Sequence, residues 1–180
     1  SDGLIPMAVA LAGAADATGP LVRASRARLL RAKPRHLNAS LWQGGSEKRQ
    51  RVPPQGEWLD VGSAYELGLQ IGARDRLIPV YEASPFREIP RMPGAKGVWL
   101  EVAVNGVGFE IEGDAVQDLW LPYDELSEQL WFTVRPMRAG VAVLRYTLYY
   151  RQNVVQSNRL AALTVGNGPD GPGAGLEEAE

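Results

Sequence analysis

The 180-residue sequence predicts an all-β fold, an antiparallel β-sandwich of about seven or eight strands behind an N-terminal helical or irregular extension. Three observations predict it. In residues 140–151 the even positions Ala142, Leu144, Tyr146, Leu148 and Tyr150 are apolar or aromatic, while the odd ones include Arg145, Thr147 and Arg151. A period of two marks a strand with one dry face. The neighbouring segments repeat the pattern: Leu130, Phe132 and Val134 alternate with Trp131, Thr133 and Arg135. Pro136 ends that run, since proline cannot donate to a ladder. Residues 128–165 thus read as three consecutive antiparallel strands, the first two joined by a turn at residues 137–140. Finally, residues 36–165 hold many short alternating runs and no convincing long helix, which favours a sandwich over a parallel α/β fold.

Residues 1–35 read as a separate extension or linker. The uncharged run at residues 4–15 is too short to span a bilayer. It resembles the core of a signal peptide, but no basic region or initiator Met precedes it. The Ser1 start leads us to expect a piece of a longer protein. Asp16 or Thr18 would cap a helix through Pro20 to about Arg31. Arg23, Arg26, Arg28, Arg31, Lys33 and Arg35 form a basic run without an acid. Such a run can bind phosphate backbones or acidic lipid. No aromatic interleaves it, so a solvated helix face or a linker on an acidic neighbour is the plainer reading.

The sandwich spans residues 36–165. Leu37, Ala39 and Leu41 alternate with Asn38, Ser40 and Trp42 in a first strand, and residues 43–57 form a polar loop with Gly44-Gly45 and Pro53-Pro54. Tyr65, Leu67, Leu69 and Ile71 line the next dry face. Residues 73–97 are irregular and proline-rich, with a short edge strand expected at residues 77–81. Asn105-Gly106 predicts a two-residue hairpin. It would set Val104 opposite Val107, Val102 opposite Phe109 and Leu100 opposite Ile111 on one face. The other face would then oppose Glu101 to Glu110, a like-charge pair needing compensation. An arginine on the adjacent strand is the favoured compensation; calcium, with Asp114 and Asp118 nearby, is the alternative. Leu119 and Leu121 predict a short strand stopped by Pro122, and residues 124–128 a turn. Residues 166–180, rich in glycine, proline and acid, read as a disordered tail.

The chemistry expected of this sequence is sparse. A net charge of −2 argues against a dedicated nucleic-acid binder. The absence of cysteine removes disulfides and thiol catalysis and fits a reducing compartment. One histidine, His36, and no cysteine exclude an ordinary zinc site. A serine hydrolase would need His36 as base beside an exposed serine, and no G-x-S-x-G pattern is present. Asp124, Glu125 and Glu128 are weak candidates for paired-carboxylate chemistry. Neither a catalytic residue nor a metal or cofactor is expected. The tryptophans say more: Trp42, Trp99 and Trp131 fall opposite their strands' core positions, whereas Trp58 and Trp120 fall in or near loops. Large aromatics on an outer face call for a cover or a partner. Residues 4–30 or 73–97 would serve as a cover within the chain.

The closing segment, from Phe132 to Leu163, carries a resemblance. A strand ending in Tyr149-Tyr150 is followed by Asn153, Val154, Val155, Gln156 and Ser157. This resembles the last strands of Ig-like β-sandwich modules that accompany CHAT (caspase-like) peptidase and other effector domains in bacterial multidomain proteins. The resemblance implies a cytoplasmic accessory domain that holds, senses or regulates something else, and it carries over no catalytic residue. The expected function is a non-catalytic protein-interaction or regulatory module docking through Trp42, Trp99 and Trp131. The alternative is a carbohydrate-binding sandwich stacking sugars on the same tryptophans, and a hydrolase built on His36 is the third reading. A coplanar exposed tryptophan row would favour sugar; a covered aromatic face would favour docking.

Overall fold

The computed structural model describes residues 34–52, 58–76 and 83–166, which belong to one compact unit starting at Pro34. The N-terminal helix, most of the basic run, the edge strand at 77–81 and the tail from residue 167 lie outside the described residues. Among those described there is no helix. Eleven strands follow in order: β1 (His36–Gln43), β2 (Gln50–Arg51), β3 (Leu59–Asp60), β4 (Tyr65–Gly72), β5 (Ala83–Pro85), β6 (Gly97–Val107), β7 (Phe109–Glu112), β8 (Val116–Pro122), β9 (Leu130–Pro136), β10 (Gly140–Tyr150) and β11 (Asn153–Val165). Eight have four or more residues, the number the alternating runs predict; β2, β3 and β5 are the short additions.

They form two sheets over one core. The six-stranded sheet runs β2-β1-β4-β9-β7, with β5 also on β1; the five-stranded sheet runs β3-β11-β10-β6-β8. Each alternating run turns its apolar set inward. Leu37 and Ala39 of β1, Leu67, Leu69 and Ile71 of β4, and Phe132 and Val134 of β9 come from the first sheet. Leu100, Val102 and Val104 of β6, and Ala142, Leu144, Tyr146 and Leu148 of β10, come from the second. Burying each large apolar side chain contributes about 1.5–3 kcal/mol before chain entropy is subtracted.

Two sequence expectations fail, for one reason. Asn105-Gly106 is not a hairpin turn: neither residue has positive φ, and β6 runs straight through both, paired with β10 and β8. The chain turns instead at Gly108, φ 80°, and β7 crosses to the six-stranded sheet beside β9. Gly106 is needed for close approach. A Cβ there would stand 2.7 Å from the Phe109 Cβ and 2.9 Å from the Phe109 carbonyl oxygen. Likewise β9 and β10 are not neighbours, because residues 137–139 cross between the sheets. Both sheets face the same core, so Leu100, Val102, Val104 and Phe109 are buried as the hairpin required. Val107 is not: it is outward and exposed. Glu101 and Glu110 end on different sheets. Glu110 lies opposite Arg135, which forms an ion pair with Glu112, so the like-charge pair that called for compensation does not arise. Among the described residues no three His, Asp or Glu side chains group as an ion site would require.

Polar clasps tie the two sheets together. Gln156 and Asn158 of β11 donate to Ser84 Oγ of β5. Arg35, read above as part of the extension, instead belongs to the sandwich: it pairs with Glu88 and donates to the carbonyls of Pro122 and Glu125. The β10–β11 hairpin turns on Arg151 and Gln152, with φ of 49° and 65°. Both sit in the left-handed region that a two-residue turn imposes and that side chains other than Asn and Gly resist. Replacing them by Asn-Gly should raise stability by about 1–2 kcal/mol, measured by urea unfolding, with the denaturant slope unchanged.

Candidate functional site

The two outer faces carry the candidate residues, and they differ in how far the chain covers them. On the six-stranded sheet Ser40, Gly68 and Trp131 lie in one cross-strand row, and Arg51, Trp42, Glu66 and Thr133 in the next. The Trp42 and Trp131 rings meet edge to face at 5.7 Å over the bare surface of Gly68. Trp42 Nε1 donates to Ser40 Oγ at 2.8 Å. Arg49, from the β1–β2 loop, lies over the Trp131 ring at 3.7 Å while its guanidinium grips Glu66 at 2.6 and 3.0 Å. That hydrogen bonding raises the Arg49 pKa further above its usual value, so it stays charged at every working pH. Arg51 covers Trp42 at 4.9 Å and pairs with Asp75. Each cation–π contact of this kind contributes about 0.5–1 kcal/mol. Both tryptophans are thereby half-buried within the sandwich itself. Among the described residues their cover comes from the β1–β2 hairpin, to which the 73–97 loop adds Asp75.

Trp99 lies on the opposite sheet and is 61% exposed. The three tryptophans singled out by the sequence therefore form no single row. Trp99 has a different companion, Trp120 of β8, its direct cross-strand partner, with ring centroids 5.3 Å apart and planes tilted by 56°. The sequence expectation sets Trp120 in or near a loop; it is an outward residue of β8, as its place between Leu119 and Leu121 signals. Gly97 makes its seat, since a Cβ there would stand 2.8 Å from the Trp120 ring. Beside Trp120 opens a groove of about 520 Å³. Its walls include Met92, Pro122 and Tyr123, and its polar rim holds Lys96, Glu125 and the Arg91–Asp124 pair. The Tyr123 hydroxyl accepts a hydrogen bond from the Met92 N–H and shapes the floor.

Much of the remaining surface of the five-stranded sheet is exposed, although Thr147 at its centre is buried. Register places Val107 beside Val143 and Ala161, and Val141 beside Leu163, on the same side as Trp99. Val107, Val116, Val141, Val154 and Leu163 are each at least 48% exposed. His36, the candidate base, starts β1; its Nδ1 is buried without a hydrogen-bond partner, and among the described residues no serine or carboxylate hydrogen-bonds to the ring. Of the candidate carboxylates, Asp124, engaged by Arg91, and Glu125 stand on the rim of the groove beside Trp120, and Glu128 is exposed.

The Gly68 notch is directly testable. An added methyl would stand 2.6 Å from Gln129 Nε2, 2.9 Å from the Trp131 ring and 3.1 Å from Trp42 Nε1. Gly68→Ala should cost about 1–3 kcal/mol and shift tryptophan emission to the red as the rings part. Gly45→Ala, where nothing lies within 4 Å, is the control and should change neither. Comparison with known proteins assigns no role to either face: no protein-family model matches the chain, and no curated protein matches it.

Proposed function

We propose that the chain is a non-catalytic protein-interaction module that docks a protein partner on the outer face of its five-stranded sheet. The observation that carries this reading is the exposure there of Trp99, Val107, Val116, Val141, Val154 and Leu163 on one side of one sheet. Exposed apolar side chains gathered at the two ends of one sheet face, rather than scattered singly, mark an interaction surface. The other sheet supports the reading by contrast, since its tryptophans are already stacked under Arg49 and Arg51. The resemblance of the closing strands extends the proposal to an Ig-like accessory or regulatory domain of a larger bacterial effector or signalling protein, and the cysteine-free composition suits the cytoplasm. No described helix is long and apolar enough to cross a membrane. Partnering through sheet faces needs no catalytic group, metal or cofactor.

One observation favours a second reading, carbohydrate binding at the Trp99–Trp120 corner: an exposed aromatic pair stands beside a groove with a charged rim. The tilt between the rings and the distance of Trp42 and Trp131, on the other sheet, weigh against an extended sugar platform.

A photo-crosslinking amino acid at Val107 or Ala161, against the same probe at Thr133 of the other sheet, separates the readings in the cells that make the chain. Docking predicts protein adducts from the first two sites and none from the third. Equal adducts from all three, or none from any, would contradict it. Trp99→Ala abolishing binding on a glycan array while the adducts stay absent would establish the sugar reading instead.

A further inference from the structure

The charges on the bare face are arranged in a way that one copy of the chain leaves unresolved. Register sets Glu101 directly opposite Asp118, and Arg145 directly opposite Arg159. All four side chains are exposed, and none forms an ion pair or hydrogen bond among the described residues. Like charges directly opposed across strands are unfavourable. Here there are two such pairs, of opposite sign, on the same face. Glu101 stands opposite Tyr149, and Arg145 opposite Asn105, so the acid and base rows lie two cross-strand rows apart along β6 and β10. At about 6.8 Å per two residues the rows are roughly 13 Å apart. That exceeds the screening length of about 8 Å at physiological salt, so the pairs do little for each other within one copy.

The row between them is low: Ala103, Thr147 and Ser157 in register, with Val116 at the edge. Beyond the acids lies the aromatic pair, and beyond the arginines the aliphatic end of Val107, Val141 and Leu163. The order along the strands is therefore aromatic, acidic, small, basic, aliphatic. Such an order is complementary to itself when reversed. We propose that the partner of this face is a second copy of the chain, packed sheet on sheet about a twofold axis lying in the interface above Ala103 and Thr147. Glu101 and Asp118 of each copy then meet Arg145 and Arg159 of the other, and both like-charge pairs are neutralised at once. Isologous pairing of this kind is the commonest way for a chain to assemble with itself.

The area is sufficient. Eighteen outward positions on β8, β6, β10 and β11 make up the face. At about 33 Å² each, from strand spacing and rise, they give roughly 600 Å² of flat area per copy. Because the sheet curls, two copies bury at most about 1,200 Å², the lower end of the range for stable protein interfaces. This inference rests on the docking reading of the same face, and names its occupant.

The test is sedimentation velocity of the full 180-residue chain over a concentration series, with two charge-reversal variants. One carries Glu101→Arg and Asp118→Arg, the other Arg145→Glu and Arg159→Glu. The parent chain should dimerise, and more weakly as salt rises. Each variant alone should dimerise at least about tenfold more weakly, and an equimolar mixture of the two should recover a dimer at least as tight as the parent's. All four positions are outward, and unchanged circular dichroism checks the fold. A parent that stays monomeric at millimolar concentration, reversals that leave dimerisation unaltered, or a mixture that fails to recover it would each overturn the proposal. If the parent is monomeric while Val107 and Ala161 crosslink to a different protein, the docking reading stands and the second copy is excluded.

Discussion

Everything in this fold answers to a core shared by two sheets. Each strand has one apolar side, and the only place to hide it is against the other sheet. Tyr146, Leu144 and Leu148 from the centre of the five-stranded sheet and Leu67, Leu69 and Phe132 from the six-stranded one are almost wholly excluded from water. Their demand is stronger than any local turn preference. It pulls the chain straight through Asn105-Gly106, turns it at Gly108, and sends residues 137–139 across the gap. Glycines at 68, 97 and 106 then serve close approach rather than turning.

Because alternation fixes what faces inward, it also fixes what is left outside, and the two outer faces come out unlike. On the six-stranded sheet the large outward groups around Gly68 satisfy one another: Trp42 and Trp131 meet over Gly68, Arg49 and Arg51 lie on their rings, and Glu66 and Asp75 hold the guanidiniums. On the five-stranded sheet the outward groups lack such mutual satisfaction. Exposed valines and leucine stand beside opposed acids and opposed arginines. The physical contrast, one face closed on itself and one left open, points the functional reading outward from the second sheet.

The dry face of each strand was readable from the sequence because a period of two survives any partner choice. Leu37, Ala39 and Leu41, or Ala142 through Leu148, are buried whichever strands lie beside them. Sheet membership was not readable for the same reason. Phe109 packs equally well as the far arm of a hairpin with β6 or as the start of a strand on the opposite sheet. The stacked cover of Trp131 by Arg49 was hidden too, since it joins a polar loop to a strand far along the chain. Trp120 is a different case: the Leu119–Leu121 frame around it was sufficient to place it outward beside Trp99, its neighbour across β6 and β8.

The account turns on β6 pairing with β10 instead of folding back on β7, because that pairing builds the open face. The chain has no cysteine, so paired substitutions report on it against a clean background. Val107→Cys with Val143→Cys joins direct cross-strand partners in β6 and β10. Glu101→Cys with Glu110→Cys joins positions that face each other only in an Asn105-Gly106 hairpin. Disulfide formation requires Cα atoms within about 7 Å. The account predicts that the first pair oxidises readily in the folded chain and the second does not. Oxidation of the second pair but not the first would contradict it.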